Sequence, residues 1–483
     1  MKKLLTYFIF AITSISYGQQ DLTLYYMENV PQTLYLNPAF KPKPKLNIGL
    51  PGIPSIYIDH VNTTFTPKNL FETSNGATTL TIDKLKTEIK DNNYFGINMK
   101  VDLLSFGFQA KKNYFSFNIT ENVFARINLS RGLLELPLYG NADFDYHNGE
   151  IDMSNTGINF THYREFGVGW QREFFNRLGL GAKIKYLSGK SNVWTKSNTF
   201  KLQTNPDDYE WNITGQLDAR SSGLDSSSAI TNGEVVKYLL NGANKGVAID
   251  LGGTFKLNDK VNLNASILDL GFIRWKSNNL NIKTNDASFS FTGLNLTDIV
   301  NAPDSVSGDS LSAAITRLEE SAKDELGYSE NGDAYTKKLT ARVYFGGTYQ
   351  LYKGKNSNGR IGVLFQSEIY NKRIRPSLTL SYNQVLGRWL NASLSYSMIN
   401  RGYNNIGVGA SFNLGPVQLY ATADNIFAAQ LTSFKRDDVS VLYYPTNSNK
   451  THVHVGLNIT IGRKKKNKKV KKEKEVILEK KEG

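Results

Sequence analysis

The 483-residue sequence contains no cysteine. That excludes disulfides, a thiolate metal site and a cysteine nucleophile. Proline is sparse at 13 residues, and the five histidines, His60, His147, His162, His452 and His454, are too scattered to argue for a triad. No G-x-S-x-G elbow, H-E-x-x-H motif or phosphate-binding loop occurs, so the expectation is a non-enzyme with no cofactor and no metal. Beyond the N-terminus no segment approaches the ~18 consecutive apolar residues of a spanning helix. A mean hydropathy of -0.37 excludes a helical-bundle membrane protein. It does not exclude a barrel, whose strands give only alternate residues to lipid.

What the sequence has in quantity is aromatic residues, at 12%, and 40 glycines, a mixture suited to strands and tight turns. Residues 1–18 read as a signal peptide: Lys2-Lys3, the apolar run Leu4 to Ile15, then Ser16-Tyr17-Gly18. The expected divisions are this signal, an N-terminal hatch or lead-in over 19–44, a strand region over 45–462 and a basic tail over 463–483. The tail opens Arg463-Lys464-Lys465-Lys466, continues with Lys468 and Lys469, and carries much of the net charge of +14. An exported chain makes nucleic-acid binding the wrong reading of it. A solvated end is one alternative, and an arm for anionic lipid or for subunits of a periplasmic or outer-membrane complex is the other.

Period-two alternation recurs in fourteen runs, near 45–58, 94–109, 113–127, 157–171, 178–190, 246–258, 261–275, 337–351, 360–370, 374–385, 388–398, 403–413, 416–424 and 451–461. In the run from Leu390 to Met398, Leu390, Ala392, Leu394, Tyr396 and Met398 alternate with Asn391, Ser393, Ser395 and Ser397. Such runs match the ~10 residues of a tilted spanning strand. The links sort alternately. One set is uniformly short, such as Leu386-Gly-Arg388 and Leu414-Gly-Pro416, whereas the other holds the long gaps 59–93, 128–156, 191–245, 276–336 and 425–450, together with two brief links near 371 and 401. Short turns on one rim and long loops on the other define an outer-membrane barrel. The expected fold is therefore an all-β, fourteen-stranded antiparallel transmembrane barrel contacting outer-membrane lipid, with both termini periplasmic. It becomes sixteen-stranded if 197–216 joins the wall. Helices are expected in the outer loops at Leu311–Leu326 and, more weakly, at Leu80–Ile89 and Glu234–Leu240.

Strand phase assigns Asp102, Arg164, Lys183, Lys185, Asp250, Lys256, Arg342, His452 and His454 to the lumen, as a closing charge network or a selective lining. Alternation slips at Leu103-Leu104 and at Leu268-Asp269-Leu270, each the mark of a bulge. The second slip either adjusts curvature or opens the wall sideways to lipid.

Gln20-Asp21, Tyr26-Met27, Asn29 and Leu36-Asn37-Pro38-Ala39 resemble the opening of Bacteroidota outer-membrane proteins related to PorP and SprF. Asn37-Pro38-Ala39 is also similar to the hatch of FadL-like barrels such as PorV. Ile267 to Trp275 and Ala421 to Phe427 resemble segments of a Bacteroidota barrel family without an assigned activity. The resemblance implies passive binding or transport of a small solute, apolar ones included, or alternatively a non-transporting role in a secretion, gliding-motility or envelope complex. An open lumen favours the first and a filled lumen the second. Phe40 stands where the PorP pattern has a small residue, and the last strand does not end on an aromatic residue.

Overall fold

The computed structural model describes residues 21–462 except 50–54, 64–70, 75–76, 81–85, 142–147, 224–236, 293–315, 317–318, 355, 371–372, 400–401, 426–430, 437–438 and 446–449. The signal-peptide and basic-tail expectations lie outside the described residues.

Fourteen antiparallel strands close on themselves. They are β1 (Leu46–Gly49 and Ile56–Asn62), β2 (Asn92–Ala110), β3 (Asn113–Ser130), β4 (Gly157–Phe174), β5 (Leu178–Asn198), β6 (Asn244–Lys256) and β7 (Val261–Trp275). The second half is β8 (Tyr335–Lys338 and Ala341–Lys353), β9 (Ser357–Tyr370), β10 (Arg373–Leu386), β11 (Leu390–Ile399), β12 (Gly402–Leu414), β13 (Val417–Asp424) and β14 (Lys450–Ile461). Leu46 pairs with Ile461 and Ile56 with Val455, which joins β1 to β14 and leaves no free edge. Each backbone group of a membrane strand can then be paired within the wall, as a bilayer requires.

The alternation sorts the faces. Val168, Ile184, Phe345, Leu380 and Leu394 point outward and stay exposed, whereas Asn391, Ser395, Ser411, Asn458 and Thr460 are buried inside. Outward Trp170, Tyr349, Tyr352, Tyr382 and Trp389 ring the short-turn rim, with Tyr186, Phe272 and Tyr396 nearer the other. Two aromatic girdles around an apolar band identify the face that meets lipid.

Strands β2 to β5 run 18 to 21 residues and stand well beyond any bilayer. Above the wall, Glu150–Asp152, Lys201–Thr204, Trp211–Gly215 and Ala287–Phe291 form a separate four-stranded sheet. The 197–216 hairpin thus joins that sheet, and the wall has fourteen strands. Leu217–Ser222 extends the wall by pairing with the far end of β5. One helix unforeseen in the sequence, α1 (Arg131–Tyr139), follows β3, with the Ser130 Oγ accepting from the Leu133 N–H at 3.3 Å as its cap. Its apolar residues fall within a loop that alternation reads only as a gap. Of the expected loop helices, the described parts are helical at 86–88, 237–240 and 319–325.

Residues 21–44 fold back into the bore around a 3-10 helix, Pro31–Tyr35. Leu22, Leu24, Tyr25, Met27, Val30 and Leu36 are buried in one cluster with Leu268, Tyr344, Leu364 and Tyr420 of the wall. This is a hatch with its own small apolar core inside a polar barrel.

Candidate functional site

The hatch meets the wall mainly through polar contacts. His452 donates its Nδ1 side to Asp424 at 2.6 Å and its Nε2 lies 3.1 Å from Asp21 at the head of the hatch. His454 reaches Asp21 at 2.9 Å and the Ser55 and Tyr420 hydroxyls at 2.8 and 3.0 Å. Thr23 bonds Ser395 at 2.5 Å and also Asp424. Further down, Gln32 and Asn458 exchange amide bonds at 2.8 and 3.0 Å, and Glu28 pairs with Arg360. The two histidines that sequence placed in the lumen are thus the latch of the hatch.

Asn37-Pro38-Ala39 is seated against β5 to β7. The Asn37 amide donates to the Ala265 carbonyl at 3.2 Å, and its Oδ1 accepts from the Ala39 N–H at 2.9 Å. A side chain at Gly181 would strike the Pro38 carbonyl, and one at Gly252 would strike Asn37. Gly362 makes room for Tyr26 in the same way, and Gly407 for Thr23. Inward glycines in the strands trace the footprint of the hatch, because only a missing Cβ lets backbone approach so closely.

On the side of β2 to β8, a belt of charges crosses consecutive strands. Glu165 of β4 holds Lys183 of β5 at 2.9 Å, and Lys185 sits 2.7 Å from Asp250 of β6 and 2.6 Å from Asp269 of β7. Asp269 also pairs with Arg342 of β8. Lys183, Asp250 and Arg342 thus lie inside the barrel, each beside a group of opposite charge on a neighbouring strand. Buried charges persist here because each has a partner of opposite sign. Asp102 accepts from Thr120 at 2.7 Å and from Tyr35 of the hatch at 2.8 Å, while the Lys183 ammonium lies 4.6 Å from the Tyr35 ring centre.

Two lumen assignments, Arg164 and Lys256, are corrected, and the alternative left open at Asp269 is decided. Arg164 does not enter the lumen: it shares the outward face of β4 with Phe166, Val168 and Trp170, pairing there with Glu121. A charge survives on that face because Arg164 stands opposite Ser188, beyond the Tyr186 ring, under a loop segment whose Tyr238 bonds His162 at 2.7 Å. The Leu268-Asp269-Leu270 slip is a bulge but not an opening. Ladder pairing resumes on both sides, Ile249 with Leu270 and Leu251 with Ile267, and Leu268 pairs with Arg342 across the next strand. Asp269, at φ +59°, turns its carboxylate inward to the ion belt while Leu268 packs on the hatch and Leu270 faces lipid. Lys256 stays at the exposed rim, 3.0 Å from Asp259.

Three cavities follow one another down the β2–β5 side of the hatch. The outermost, about 100 Å³, is lined by Lys100, Arg126, Tyr163, Trp275, Lys337 and Glu368 among others. It shares Lys100, Asn122, Tyr163, Asp269 and Arg342 with a second of about 40 Å³, which shares Tyr35, Asn118 and Lys183 with a third of about 20 Å³. The last holds roughly one water, not a solute, since a water needs at least ~10–15 Å³ by this measure. Sequence gave no signal for Tyr35, a single aromatic in a non-periodic lead-in. Lys337 was missed because it lies at the edge of an alternating run.

A closed barrel with a lipid belt, girdles and an internal hatch defines an outer-membrane β-barrel. Residues 38–424 match the family of unknown function DUF5723, and the chain belongs to that family. Among solved structures, the chain is similar to the Ralstonia pickettii toluene transporter TbuX, at 7% identity over 90% of this chain and 94% of that one, TM-score 0.41. It is also similar to a Pseudomonas aeruginosa FadL homologue, at 8% identity over 90% and 95%, TM-score 0.41, and to the P. putida toluene transporter TodX, at 12% identity over 92% and 94%, TM-score 0.34. No curated protein matches the chain.

Proposed function

We propose that the protein is a hatch-gated outer-membrane barrel that admits a small organic anion, an aromatic or aliphatic carboxylate, along the Tyr35 side of the hatch. The observation that carries this is the file of cavities that share lining residues from the outer mouth down to Tyr35. Its entrance pairs cations with rings. The Lys337 ammonium is bonded at 2.9 Å to Thr161 and also to Asn159, both neutral, and lies beside the Trp194 ring. Lys100 lies over Tyr57, and Trp275, Tyr163 and Phe124 complete an apolar side. A cation among neutral acceptors and π faces favours an anion with an apolar body over a bare hydrocarbon. In this reading the short-turn rim and both termini are periplasmic and the long loops are outside. The protein is a conduit and not an enzyme.

Proteoliposome uptake distinguishes the solute class. Benzoate is expected to enter faster than benzylamine, and Lys337→Gln to slow benzoate alone. Equal rates for both solutes, unaffected by Lys337→Gln, would sink the reading.

The filled bore favours a second reading, that of a non-transporting partner in a secretion, gliding-motility or envelope complex of a Bacteroidota outer membrane, as the PorP, SprF and PorV resemblances imply. Under it the hatch never moves and no solute passes.

A further inference from the structure

The hatch leaves the bore through Lys41-Pro42-Lys43-Pro44-Lys45. Both prolines are buried and all three lysines are exposed, so period two sets the cations on the open side and the rings against the protein. The prolines fix their own φ and bias Lys41 and Lys43 away from helix, which holds the three ammoniums apart on a stiff segment. Beneath them, a cavity of about 390 Å³ spans the short-turn mouth of the barrel, lined by Lys41, Lys43, Lys45 and Arg388, with the Asn29 and Gln109 amides and Val385 behind. Exposed turns of the same rim add Lys111, Lys112, Arg177 and Lys260, against Glu173 and Asp259. The protein's own carboxylates already sit by the segment: Glu173 pairs with Lys41 at 3.1 Å, both half-exposed, and Glu28, paired with Arg360, acts on Lys43. Gly462, after the last strand, packs beside the Lys45 side chain at the edge of this mouth.

We infer that the mouth is a docking site for a carboxylate-rich peptide segment of a periplasmic protein. Charge complementarity selects acidic partners and steers their approach. A peptide fits better than a lipid headgroup because the lysines line the bore, whereas lipid meets the opposite face of the wall. Amide side chains and an apolar wall in the cavity also suit a peptide backbone. The inference uses the assignment of the short-turn rim to the periplasm but not solute passage.

The test uses the full-length protein in phosphatidylcholine nanodiscs and fluorescein-labelled (Glu-Gly)4, read by anisotropy. The peptide is expected to bind in a salt-sensitive manner, (Gln-Gly)4 not to bind, and the triple variant Lys41→Gln, Lys43→Gln, Lys45→Gln to lose about tenfold in affinity, the size expected for a few partly exposed ion pairs. Heat-modifiable gel migration verifies that the variant barrel is folded, and Arg388→Gln alone is expected to weaken binding by a smaller factor. Unchanged affinity in both mouth variants overturns the inference, as does displacement of the peptide by phosphatidylglycerol vesicles, which would assign the mouth to lipid. Sidedness is read separately by maleimide labelling of Lys112→Cys in intact cells. Labelling from outside would overturn the periplasmic assignment while leaving peptide binding itself measured.

Discussion

Tyr35→Ala is expected to convert a nearly silent barrel into a conducting one in planar bilayers. Tyr35 closes the narrowest part of the cavity file, tied to Asp102 at 2.8 Å and covered by Lys183. A hydrogen bond to a charged group contributes about 1.5–3 kcal/mol. If that energy holds the gate, its loss raises conductance on the order of 10- to 100-fold. Removing the ring also joins the cavities of about 40 and 20 Å³ on either side of it. Tyr35→Phe loses the same bond but leaves the ring in the passage beside Lys183, so it is expected to raise conductance above the parent and to stay below Tyr35→Ala. If single-channel recordings of Tyr35→Ala are as quiet as the parent, this face of the hatch is not the route.

The second large effect concerns the lipid face. Leu394 is at the middle of β11, outward and half-exposed, opposite Tyr382 and Val408. An acid there faces hydrocarbon, at a cost on the order of 2 kcal/mol, so Leu394→Asp is expected to reduce the folded fraction on heat-modifiable gels and lower the urea midpoint. Sequence alone nominates Ser395 as the tolerant inward comparison, but Ser395 is the seat of Thr23, beside Gly407 and Asp424. An acid at 395 would press a second carboxylate against Asp424 and displace the hatch. Asn122 is the better control, because it lines the outer cavity directly opposite Lys100. Asn122→Asp is expected to assemble normally. Equal damage from both acids would contradict the face assignment.

These positions also show what was legible beforehand. The wall could be read because a strand with lipid on one side and polar contents on the other has one admissible period, and fourteen runs obeyed it. The link lengths sorted the two rims, one of short turns and one of long loops, for the same reason. Phase failed at Arg164, where β4 outgrows the bilayer and its outward face meets a loop. It also failed to decide Asp269, since a slip in alternation marks an extra residue but not whether the ladder reseals around it. The hatch itself was visible only as a resemblance at Asn37-Pro38-Ala39. Its seat depends on contacts such as Thr23 with Ser395 and Gln32 with Asn458, separated by most of the chain. Inward glycines such as Gly181 and Gly407 read as small lumen residues, and only packing reveals them as sockets. The Lys-Pro-Lys-Pro-Lys alternation was open to inspection in the sequence. Its meaning required knowing that both prolines turn toward the bore.

In the proposed route, solute passes beside a seated hatch. The absence of native cysteine makes it directly testable. The Thr23 and Ser395 hydroxyl oxygens are 2.5 Å apart on the side of the hatch away from Tyr35, so Thr23→Cys with Ser395→Cys can lock the hatch to β11. The decisive measurement is the conductance of Tyr35→Ala in that background, oxidised and then reduced. Current that persists with the disulfide closed is the predicted result. Silence until dithiothreitol is added would mean that the hatch must leave its seat, and would contradict the account.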